Sequence, residues 1–221
     1  MVGRILEYLA LGLCILLVLP VHEFAHAFAA VKCGDDTPRF SGRYTLNPLK
    51  HFDILGLIMM VLVRFGWAKP VPINPNNFRN YKTGMFWVSV SGVIANYLMA
   101  FIAYPILQLV LKLPDMLLFD DFIIYFFLFA YSINISLFLF NLLPIYPLDG
   151  FRVVEAASKT RNAYMRFMYR YGSYILLGLI AINILASYVP VVGYINVLGY
   201  YMQYGTWLIS KPITLFWGLF F

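Results

Sequence analysis

"LLVLPVHEFAHAFAAV", residues 16–31, decides the fold. It closes an apolar run that starts near residue 5, and it carries His22, Glu23 and His26 inside that run. About 20 mostly apolar residues cross a bilayer, so the run is long enough to span. It is too long for the apolar region of a signal peptide, and "HEFAHAFAA" makes a poor cleavage site, so a retained helix is expected. Ionisable side chains at the centre of such a helix cost about 2.5–3.5 kcal/mol for the costlier types. Three of them within five residues therefore point to function.

The rest of the chain has the same character. Of 221 residues, 62% are hydrophobic and 12% charged, more apolar surface than a soluble domain of this length can hide. The length fits a single membrane-embedded domain, residues 1–221, without an appended regulatory module. The formal charge of +6 comes from Lys and Arg in loops between apolar runs. That pattern argues against a nucleic-acid partner and for loops facing a cytoplasm. Cys14 and Cys33 lie about 28 Å apart if one helix carries both, too far for a disulfide.

Further apolar runs cover residues 85–111, 122–143, 172–188 and 191–210. Residues 39–47, "RFSGRYTLN", suit a short hairpin turning at Ser41-Gly42. Residues 54–66 as a helix would reach only about 20 Å across a hydrocarbon core of about 30 Å, so this segment is expected to re-enter. On that topology 14 of the 16 Lys and Arg fall on one side, with Arg4 and Lys112 on the other. The expected fold is therefore an all-α polytopic membrane protein of about five transmembrane helices. A re-entrant segment and short β-hairpin or strands would lie near the active site, because irregular backbone at membrane depth needs protein or a wet cavity around it. The core of the domain is expected over residues 5–160, with accessory transmembrane helices over 172–210.

"HEFAH" is an H-E-x-x-H motif. Residues four apart share a helix face, so His22 and His26 can both reach one metal ion. Glu23 is offset by one position, placed to act on a water as general base. The competing reading is two histidines packed in a bundle, which the cost of burial weakens. A catalytic zinc takes three protein ligands. Asp149 follows an apolar run between Pro147 and Gly150, and the residues alone leave it evenly balanced between a ligand and a plain Asp-Gly turn. Cys33 and His51 are rivals; Cys33 reads better as a small buried hydrophobe and His51 as a solvated loop residue.

Together, "HEFAH" and "NLLPIYPLDG" (141–150) resemble the site-2 protease family of intramembrane zinc metalloproteases. "LNPLKHFDILG" (46–56), "GWAKPVPINPNNFRN" (66–80) and "SGVIAN" (91–96) resemble segments of its compact bacterial and archaeal members. The resemblance covers roughly residues 10–160. It implies one zinc per chain, held by His22, His26 and Asp149, with Glu23 as the catalytic base. It implies that Asn141 steadies the substrate strand or the scissile carbonyl, against an alternative in which its amide bonds helix backbone. Asn96 would line the cavity or, alternatively, bond between helices. The chain departs from the family at Val93, Ile54 and Tyr146, where prolines are usual; none is a proposed ligand.

The implied activity is hydrolysis of peptide bonds in or near transmembrane segments of membrane proteins, as in regulated intramembrane proteolysis. The substrate partner is a transmembrane protein in the lipid bilayer of the cell membrane, and the active site lies toward the cytoplasmic side. A strand edge within residues 36–80 could pair with an unwound substrate. Two rivals are a catalytically inactive scaffold, which has no need of Glu23, and a metal or ion transporter. Transporters often carry charges in later helices, and residues 172–210 carry none.

Overall fold

The computed structural model describes residues 2–53, 55–56, 69–113, 120–158 and 162–221. The expected re-entrant segment, 54–66, falls almost entirely outside them. The apolar run that opens the chain forms α1, Val2–Cys33, with Pro20 inside it. Gly34, at φ +110°, closes the helix in a conformation other residues rarely adopt, and Asp35 N–H returns to Ala30 O at 2.9 Å. Two short helices follow, α2 (Thr37–Phe40) and α3 (Pro48–His51). In α3, Asn47 caps Leu49 N–H and Pro48 supplies a preset φ.

Three long helices start at asparagine caps. Asn80 accepts from Thr83 N–H and opens α4, Tyr81–Val110. The next long helix, α5 (Asp120–Leu142), leads into the loop before α6, Asp149–Ala157. Asn162 accepts from Met165 N–H and opens α7, Ala163–Ala186. Asn196 accepts from Gly199 N–H and opens α8, Val197–Trp217.

Among the described residues, α1, α4, α5 and α7 are long and apolar enough to cross a membrane. The run expected as a fifth span forms α8, 21 residues long, but Gln203, Ser210 and Lys211 and several tyrosines leave it less apolar than the other four. No strand forms among the described residues. The stretch expected as a hairpin is instead α2 followed by a turn at Ser41-Gly42, because Pro38 starts a helical turn and its carbonyl takes both Arg43 and Tyr44 N–H.

Helices α1, α4 and α5 pack on one another, and α6 lies against α4. Small side chains allow the close approach: Cys14, Val18, Ala103 and Ala130 form one buried cluster. Large apolar residues such as Leu17, Leu98 and Leu177 point outward, as lipid-facing residues do. Residues 69–77 form a strap across the end of α1 nearest the polar loops. Their burial alternates, with Val71 buried and Ile73 half-buried between exposed Pro70, Pro72 and Asn74.

Candidate metal centre

The one-turn spacing on α1 brings His22 Nε2 and His26 Nε2 within 3.1 Å. Each ring is fixed from behind by α4. His22 Nδ1 lies 3.0 Å from Asn96 Oδ1, and His26 Nδ1 lies 2.7 Å from Val88 O. Both partners are acceptors, so each Nδ1 carries the proton and each Nε2 presents a lone pair to the other. Asp149 Oδ2 completes the group at 3.4 Å from His22 Nε2 and 3.1 Å from His26 Nε2.

Asp149 is presented by the backbone around it. A Cβ on Gly150 would collide with the carbonyl oxygens of Leu142 and Leu143, so the glycine lets α6 start against the end of α5. The Asp149 carboxylate then turns toward α1. Gly92 has the same role on α4, since a Cβ there would stand 2.5 Å from His26 Nε2.

All three side chains are buried, and their candidate ligand atoms lie within 4.8 Å of one another. Asp149 Oδ2 is shielded from solvent and accepts no hydrogen bond. Two imidazole lone pairs and an orphaned carboxylate oxygen facing one another repel unless a cation sits among them. The donor set of two nitrogens and one carboxylate oxygen suits zinc, whose catalytic sites use three such ligands. The residues therefore fit the ion that the motif implies.

Glu23 faces a cavity of about 140 Å³ beside these ligands, and its Oε2 accepts the Val71 N–H at 3.1 Å. Asn141 lines the same cavity. Asn96 is not among the residues lining it; its Oδ1 makes an interhelical contact with His22, while its Nδ2 is buried without a hydrogen-bond partner among the described residues. Cys33 packs beside Ala30 and Phe78, away from the ligand group. His51 is fully buried rather than solvated, with Nε2 2.7 Å from Thr45 O, and is also no part of the group. Arg152, one turn beyond Asp149, lines the cavity too and was not singled out in the sequence. Its i+3 spacing from Asp149 is the signal that could have found it.

A profile described as "Peptidase family M50" matches residues 110–182. The Bacillus subtilis (strain 168) protein named "Putative zinc metalloprotease YwhC" is 39% identical over 153 residues, covering 68% of this chain and 69% of that protein. No solved structure matches the chain.

Proposed function

The chain belongs to peptidase family M50, the site-2 protease family, and from that membership we propose that it hydrolyses peptide bonds in or beside the transmembrane segments of other membrane proteins. The membership and the apolar helices make it a multi-pass membrane metalloprotease. The observation that carries the finer reading is the position of Glu23, beside a buried His22–His26–Asp149 group on a helix long enough to span. The cell membrane, with the site toward the cytoplasm, follows from the basic loops that gather at the His22–His26 end of α1.

His22, His26 and Asp149 would hold the zinc, and Asn96 and Val88 O would keep the two rings aimed. When bound, zinc supplies Lewis acidity to a water and to the scissile carbonyl. Glu23 accepts the proton of the attacking water and returns it to the leaving amine. Asn141, which lines the cavity, would offer an amide to the substrate backbone. A helical substrate hides its carbonyls in its own hydrogen bonds, so it must unwind before it enters a cavity of this size.

Glu23→Gln keeps the shape of the side chain and removes its basicity. The assay is cleavage of a quenched fluorescent peptide, with an apolar span broken by Asn-Pro, in detergent micelles. We expect zinc content unchanged and cleavage reduced by about 10²–10⁴-fold. Cleavage retained in Glu23→Gln overturns the assignment of the base.

A further inference from the structure

Among the described residues, Glu23 is held by one backbone donor. Residues 70 and 72 are prolines and have no N–H, so Val71 supplies the one amide proton of the Pro70–Pro72 stretch, and Glu23 Oε2 receives it. Where that proton points depends on where the strap lies. The strap is anchored at both ends. At Lys69, its N–H reaches His51 O at 2.7 Å, and Arg43 donates to Lys69 O at 3.3 Å.

At the far end the anchor is Asp35. It has no exposed surface, yet its carboxylate is fully engaged. Oδ2 accepts Asn74 N–H at 2.7 Å, and Oδ1 accepts Asn77 Nδ2 at 2.8 Å and Thr37 N–H at 3.1 Å. Thr37 Oγ1 is a fourth donor. The backbone adds Arg79 N–H to Cys33 O at 3.0 Å. Asn74 is three residues from Val71, too few to absorb much slack. Asp35 lies two residues past the end of α1, so the anchor of the strap sits just beyond the helix that carries Glu23.

We propose that Asp35 is a positioning residue for Glu23, acting through the 69–77 strap, which it fixes so that the Val71 N–H orients the carboxylate in the cavity. The proposal rests on the reading of Glu23 as the base. All four partners of Asp35 are donors, so only an acceptor-only side chain satisfies them. Asp35→Asn keeps the volume and turns an NH₂ group on those donors, which releases the strap.

The test uses the full-length protein in detergent, with Asp35→Asn, Val71→Pro and Glu23→Gln beside wild type. Hydrogen–deuterium exchange over residues 70–75 needs no substrate; in Asp35→Asn the Val71 and Asn74 amides should exchange faster. With the quenched peptide, kcat should fall about 10- to 100-fold with KM little changed and zinc still bound. Val71→Pro, which removes the donor while leaving Asp35 and its partners in place, should lose kcat to a similar extent while Asn74 stays protected. Asp35→Glu should recover part of the loss. Unchanged exchange at Val71, or unchanged kcat, in Asp35→Asn overturns the proposal while leaving Glu23 as base. So does loss of zinc or helix content in that variant, which would assign Asp35 to the fold. Activity retained in Glu23→Gln instead removes the reading beneath both.

Discussion

Gly92 contributes by having no side chain. α4 passes so close to the histidine pair that a methyl group there would meet His26 Nε2 at 2.5 Å and His22 Cε1 at 2.6 Å. Gly92→Ala should therefore push the rings apart and weaken zinc binding by at least about tenfold, read by competition with a chromogenic chelator. Unchanged affinity would mean that α4 can retreat. The sequence made the histidines and Glu23 legible because their spacing is local and helical. It could not settle Asp149, which reaches the same point through the fold from 123 residues beyond His26. Gly92 fell within the family-like segment "SGVIAN", but nothing in the sequence tied it to the histidines, because a glycine in an apolar run reads as helix packing. Asn96 was legible as a polar residue in such a run, but only its distance to His22 shows which group it serves.

At the scale of elements, the asparagine caps explain where the apolar runs gave the wrong start. The run at 85–111 becomes a helix from Tyr81, and the run at 172–188 becomes one from Ala163. Hydropathy marks the lipid-facing length, whereas the cap sets where the backbone begins to coil. In the sequence the strap showed only as a segment resembling the family and as part of a possible strand edge within residues 36–80; its function as a connection depends on Asp35, Arg43 and Glu23, which lie far from it in sequence. That connection should depend on pH. Burial alone would raise the pKa of Asp35, but the hydrogen bonds donated by Thr37, Asn74 and Asn77 outweigh it and hold the carboxyl below its usual range. A depressed folded pKa means the contribution is complete above the unfolded value, about 3.9, and is lost as pH falls through the folded one. Amide protection at Asn74, corrected for intrinsic exchange, should thus hold at neutral pH and fade only below pH about 4. In Asp35→Asn it should be low at both. Protection that faded near pH 6 would point to another titrating group.

For the whole molecule, the candidate centre joins parts that lie far apart in the chain. α1 and α4 form two sides of it, and α6, reached through α5, supplies the third ligand. Metal bound there links α1 to α6, and anything that binds only the folded state stabilises it by mass action. Chelation should lower the melting temperature of the wild-type protein in detergent, and zinc should restore it. Asp149→Ala should respond little to either treatment; an equal response would mean that the zinc relevant to stability binds elsewhere. The separation of the ligands also has a consequence for biogenesis. Chains are made and inserted from the N-terminus, so His22 and His26 enter the membrane long before Asp149 is synthesised. Until α6 has folded back onto α1, the nascent chain holds two ligands of three. A ribosome-stalled chain ending before Asp149 should bind zinc no better than the Asp149→Ala protein. The ligand group is thus incomplete while α1, α4 and α5 are being inserted, and it is completed before α7 and α8 follow.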